Sequence, residues 1–260
     1  MKGRLLQCAM LALGFTFLYG PILVLMAMSF NASRLVTVWG GFSVKWYAAL
    51  FSDSAMLAAA RVSFSAAALS ATLATGLGLL AAVALARFGD FRSRALFFGA
   101  LHAPLVLPEV VFGLALLCGF VAFDIERGFV TLVIAHATFT LCFATVALHA
   151  ALRDCDPTLE EAAMDLGASP AKAFALVALP SLAPAIVSAF LLCFTLSLDD
   201  LVIASFVTGP GATTLPMRIY SQVRLGVTPE INAASTVLLG VVGAALAAAA
   251  LATRGRSRVV

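Results

Sequence analysis

Three carboxylates sit where an apolar chain has least use for them. Asp199 and Asp200 are adjacent in SLDDLVIASF (197–206), and Glu109 follows Pro108 in ALFFGALHAPLVLPEVVFGLALLCGFVAF. A carboxylate at the centre of a bilayer costs about 2.5–3.5 kcal/mol on insertion scales, so such a group usually faces a cavity. The apolar segments hold no Lys and one Arg, Arg61, near the start of its segment. Acids without a basic partner suit a cation. No His, Cys or further carboxylate stands at ligand spacing beside the pair, which disfavours a metal. An organic polycation fits better, because its amines are spaced and can reach carboxylates on separate helices. Neighbouring helical positions differ by about 100°, so Asp199 and Asp200 cannot both face one lumen squarely. One faces the route and the other bonds to a neighbouring helix or a partner subunit; the sequence leaves open which. The competing reading of the pair is a helix-locking hydrogen-bond site, and of Glu109 a repair of the carbonyl freed by Pro108.

The elements that must position these groups are membrane helices. The 260 residues are 62% hydrophobic and 11% charged, with mean hydropathy +1.06. A soluble domain carries about 25% charged residues. The formal net charge of +3 is too small and scattered to point to nucleic acid. The five cysteines lack CxxC spacing and read as small buried hydrophobes.

A hydrocarbon core of about 30 Å takes roughly 20 apolar residues in a helix. Six stretches qualify, at 5–30, 58–86, 95–122, 130–152, 182–208 and 231–253, making one all-α transmembrane domain over 1–260. The first starts like a signal peptide, but its apolar core is too long and no cleavage site precedes Asn31, so it reads as a retained span. Pro104 and Pro108 remove backbone donors and should kink the third. With both termini cytoplasmic, ten Lys or Arg fall on inner segments and six on outer ones, as the positive-inside rule prefers. At 1.5 Å per residue, Glu109 lies about 21 Å and Asp199 about 26 Å from the cytoplasmic side. Both fall in the outer half, where an importer receives cargo.

The inner loop RDCDPTLEEAAMDLGASPAKAFALVALPSLAP (153–184) is too ordered for a plain connector. Asp156 and Pro157 predict one helix start, Gly167 its left-handed end, and Ser169 with Pro170 a second start, with the second helix stopping before Pro180. Leu159, Ala163 and Leu166 share one face. Two capped helices in a cytoplasmic loop predict a docking surface.

Glu161-Ala162-Ala163, then Gly167, Val177, Leu179 and Pro180, resemble the EAA signature of ABC importer permeases, with Val177 in place of Ile. The runs SFNASRLVTVWGGFSVKWYAAL and SLDDLVIASFVTGPGATTLPMRIYSQVRLGVTPEINAASTVLLG are similar to polyamine permeases, those for putrescine above all. Where those permeases tend to show Asp after the proline of the third span, this chain has Glu109.

The resemblance implies the six-helix type I importer fold and a permease subunit moving putrescine across the bacterial inner membrane. Spermidine or another organic cation is the alternative cargo, and an ion-coupled secondary carrier the less favoured class. It also implies that Glu161, Ala162, Ala163, Gly167, Leu179 and Pro180 couple to an ATPase. The implied partners are a homologous second permease, two ATP-binding subunits, a periplasmic polyamine-binding protein and membrane lipid.

The chain itself is not expected to be an enzyme or to bind a cofactor. None of Lys2, Lys45 and Lys172 follows a glycine as a P-loop requires, so ATP and Mg belong on the partner ATPase. His102, His136 and His149 lie in apolar spans without an HExxH or GxSxG setting and read as interior histidines satisfied by neighbouring helices. Trp39, Trp46 and Tyr47, in the first outer segment, read either as interfacial belt residues or as a cation–π wall at the entrance, Trp46 being the better candidate.

Overall fold

Long apolar runs interrupted only by Pro, Gly and short polar stretches leave helix as the way to satisfy the backbone away from water. The computed structural model describes residues 2–35, 38–226 and 228–254. Twelve helices account for most of them: α1 Lys2–Met28, α2 Lys45–Ser52, α3 Ser54–Arg87, α4 Arg94–Val106, α5 Glu109–Ala122, α6 Phe129–Asp154, α7 Thr158–Asp165, α8 Pro170–Ala173, α9 Leu179–Leu198, α10 Val202–Val207, α11 Leu215–Leu225 and α12 Pro229–Arg254. Among the described residues the only extended pairing is a single bridge between Asn31 and Phe42.

Among the described residues four helical stretches are long and apolar enough to cross a bilayer: Leu6–Met28, Ser54–Arg87, Phe129–Asp154 and Pro170–Leu198. The bent pair α4–α5 makes a fifth if counted as one span, and the apolar stretch described in α12, Pro229–Ala244, is shorter. Three expectations need correction. The third span is two helices meeting at 119°, not one kinked helix. Leu107 and Pro108 are both extended there, with ψ of 136° and 138°, while Pro104 sits inside α4 without ending it. A straight-helix depth for Glu109 therefore does not apply. The fifth span ends at Leu198 rather than near 208.

The second loop helix does not stop before Pro180 either. It runs through a π-helical turn, Phe174–Ala178, directly into α9. A proline removes one i→i−4 bond, and a wider turn in front of it absorbs the mismatch.

The chain divides into two compact units, one of residues 1–58 and 218–245, the other of 59–217 and 246–260. In the second, small residues let helices approach closely. Ala71 and Ala74 of α3 meet Ala144 of α6 and Cys193 of α9, and Ala82, Leu148 and Ala189 repeat the pattern. Leu132, Ile203, Val207, Phe112 and Phe139 form a larger cluster joining α5, α6 and α10. Of the cysteines, Cys142 and Cys193 are buried as expected, whereas Cys8 and Cys118 are exposed.

In the first unit Asn31 organises the turn that follows α1. Fully buried, it accepts from the Ser33 and Gly40 amides and donates to Val38 O at 2.7 Å.

Candidate functional site

The two aspartates occupy a gap in the helical path. The α9 helix ends at Leu198 and α10 begins at Val202, so Asp199 and Asp200 are not successive positions on one helix. Their backbone is free to send the two side chains different ways, and it does.

Asp200 turns inward. Its side chain is 7% exposed, and its Oδ2 lies 3.1 Å from His136 Nε2 on α6. The same carboxylate accepts from the backbone N–H of Ile203 (3.2 Å) and Ala204 (2.7 Å). These are free amides of the first turn of α10, so Asp200 caps that helix, and the dipole favours its charge there. The other ring nitrogen, His136 Nδ1, lies 2.6 Å from Ser197 Oγ, itself 3.0 Å from Ser70 Oγ on α3. One polar chain thus runs from α3 through α9 and α6 to the start of α10, within apolar packing. His136 is an interior histidine satisfied by its neighbours, as expected.

Asp199 turns outward and is exposed. Glu109, the first residue of α5, is exposed as well. Asp199 stands within electrostatic reach of both Asp200 and Glu109. Packing of α5 on α10 brings the acids into one region: a Cβ on Gly113 would sit 2.8 Å from the Phe206 ring and 3.3 Å from Ile203 Cα. Only a residue without a side chain permits that approach. At the far end of α10, Thr131 of α6 donates to Val207 O at 2.8 Å, so the short helix is fastened at both ends.

The loop between α6 and α9 follows its sequence signals closely. Asp156 accepts from Thr158 N–H at 2.9 Å, which holds its carboxyl below the usual carboxylate range. Gly167 has φ +91°, its N–H bonds to Met164 O, and Ala168 N–H bonds to Ala163 O. That pair of bonds is the Schellman ending that a left-handed residue allows. Ser169 caps α8, accepting from Lys172 N–H, with Pro170 behind it. Glu161 is exposed, as are Leu159 (56%) and Leu166 (91%), so α7 and its C-cap present apolar and acidic side chains left uncovered among the described residues. The preceding acid, Glu160, is nearly buried and pairs with Arg87 at the end of α3.

The aromatics of the first outer segment belong to the other compact unit. Trp46 is 8% exposed and donates its indole N–H to Asn31 O at 2.7 Å. Lys45 Nζ lies over its ring at 4.7 Å, so one face already meets a cation. Tyr47 shares a hydroxyl bond with Ser29 (2.6 Å), and Trp39 is exposed.

Residues 74–256 match the family described as the binding-protein-dependent transport system inner membrane component. The chain belongs to that family. This permease is 54% identical over 243 residues to the putrescine transport system permease protein PotI of Escherichia coli (strain K12), covering 91% of this chain and 86% of the relative. It is 42% identical over 239 residues to the spermidine/putrescine transport system permease protein PotC of the same strain, covering 92% and 90%.

In fold it resembles a chain of a bacterial ABC transporter involved in import of the acidic polysaccharide alginate, with TM-score 0.72 at 16% identity over 99% of this chain and 97% of that one. A chain of the MetNI methionine ABC transporter gives TM-score 0.65 at 17% identity, over 77% and 95%. The permease is therefore an all-α membrane subunit of the type I importer fold, and an inner-membrane component of a system that depends on a binding protein.

Sequence reasoning missed the His136–Ser197–Ser70 chain and the Arg87–Glu160 pair. Their partners lie 61, 127 and 73 residues apart, beyond the reach of any local pattern.

Proposed function

We propose that this permease carries putrescine into the cell as one subunit of an ATP-driven importer, and that Glu109 and Asp199 line the route. The observation that carries the reading is the pair of exposed, unpaired carboxylates in apolar segments of a chain 54% identical to a putrescine permease. Two separated anions match the two ammonium groups of a short diamine, and charge-assisted bonds of this kind are worth about 1.5–3 kcal/mol each. Among the described residues neither carboxylate forms an ion pair with Lys or Arg.

The importer comprises this chain, a homologous second permease, two ATP-binding subunits carrying ATP and Mg, and a periplasmic binding protein. Both termini are cytoplasmic, as the distribution of Lys and Arg favours. Leu159, Leu166 and Glu161 of α7 seat in the ATP-binding subunit. Ala162, Ala163 and Gly167 keep that contact close, and Leu179 and Pro180 join the loop to α9. Closure of the two ATPases draws the loops together and opens the route outward; hydrolysis reverses it. Trp39, Trp46 and Tyr47 act as boundary residues of the outer segment, since the bonds of Trp46 and Tyr47 are already committed within their own unit.

The test is to purify the permease with its ATPase and binding protein and measure which amine stimulates hydrolysis. Putrescine is expected to give the strongest stimulation. Stimulation by an anionic or neutral solute, with none by amines, would overturn the assignment.

A further inference from the structure

Ser70 Oγ lies 2.7 Å from Ala66 O. A carbonyl cannot donate, so the single Ser70 hydrogen goes there. The 3.0 Å contact between Ser70 and Ser197 must then use the Ser197 hydrogen, and the 2.6 Å contact between Ser197 and His136 must use a hydrogen on Nδ1. On the other side, the Asp200 carboxylate accepts amides at both oxygens and meets Nε2 at 3.1 Å. Both ring nitrogens of His136 are thus hydrogen-bonded, the ring is 2% exposed, and Asp200 is engaged by its partner on α6.

We infer that His136 is a positioning residue of the transport route: with Ser197 and Ser70 it keeps Asp200 engaged in hydrogen bonds on α10, so that the region where α5 meets α10 presents two free carboxylates, Asp199 and Glu109, and not three. The inference rests on the proposed amine route. Its consequence concerns selectivity. A site with two free anions suits a diamine, whereas freeing Asp200 adds a third anion and shifts the preference toward a triamine. His136 touches no cargo and acts through Asp200 alone.

The experiment is uptake of radiolabelled putrescine and spermidine by the complete importer in proteoliposomes, carrying His136→Leu, His136→Gln, Asp200→Asn, the double variant His136→Leu/Asp200→Asn, or Asp199→Asn. In His136→Leu the putrescine KM should rise and the spermidine-to-putrescine ratio of kcat/KM should climb by about tenfold, the worth of one unpaired charge contact. His136→Gln, which still offers Asp200 an N–H, should restore most of the wild-type ratio. The double variant should match Asp200→Asn alone, because a residue acting through one partner has no effect once the partner's charge is gone. Should His136→Leu fail to assemble with the ATPase, Ser197→Ala loosens the same ring from its other side and is expected to shift the ratio in the same direction.

Unchanged amine preference in every His136, Ser197 and Asp200 variant would overturn the inference, as would additive effects in the double variant. The amine route itself has a separate readout: if Asp199→Asn leaves putrescine uptake untouched, that reading fails whatever His136 does.

Discussion

Arg87, in the last turn of α3, grips Glu160, in the first turn of α7, and so ties the loop between α6 and α9 to a helix long and apolar enough to span the membrane. Glu160 is nearly buried, with its side chain 12% exposed, while the Arg87 side chain stays 32% exposed. The pair joins α7 to α3, whose Ser70 reaches the Ser197 end of the buried chain. Glu160→Ala or Arg87→Ala should lower transported putrescine per ATP hydrolysed, while the exchange Arg87→Glu/Glu160→Arg recovers part of it. Hydrolysis and uptake measured on the same proteoliposomes give the ratio.

Leu166, the C-cap of α7, is the most exposed large apolar side chain of the loop, and Leu159 in the first turn of that helix is exposed too. An apolar face that solvent cannot reward belongs against a partner. Leu166→Asp should abolish co-purification of the ATP-binding subunit without lowering the yield of membrane-inserted permease.

Gly167 ends α7 at φ +91°, where an L side chain is strained. Gly167→Ala should cost about 1 kcal/mol in the stability of the α7 ending and weaken ATPase binding several-fold, read by titrating one onto the other. Gly167→Asn, a residue that tolerates the left-handed region, should cost less.

Asp156 supplies a pH prediction. Thr158 donates its backbone N–H to the carboxylate, and that bond is the largest cause lowering the folded-state pKa. For a depressed carboxylate, the contribution is present above the unfolded value and lost as pH falls through the lower folded one. Co-purification of the ATPase should therefore be unaffected in wild type between neutral pH and about 5. Asp156→Ala should weaken it across that whole window. The two proteins should converge only in stronger acid.

The reading of residues reached some of this and not the rest. Caps and turn residues are local, so Asp156, Gly167, Ser169 and Pro170 announced the loop helices before any packing was known. Pro108 announced a break but not a 119° bend, because the angle is set by how α5 packs on α10 through Gly113. Pro180 read as a stop, since sequence alone cannot show that a π turn will absorb it. The aspartates carried the correct alarm, a charge in an apolar run, yet their separate orientations depend on the helix unwinding at 199–201. His136 had no visible partner because that partner arrives only on folding.

The most direct test concerns the two free acids. In proteoliposomes holding the complete importer, Asp199→Asn and Glu109→Gln should each raise the putrescine KM by about tenfold or more. Together they should bring uptake close to background, while the permease still binds its ATPase. A double variant that imports putrescine with wild-type KM and rate would contradict the account.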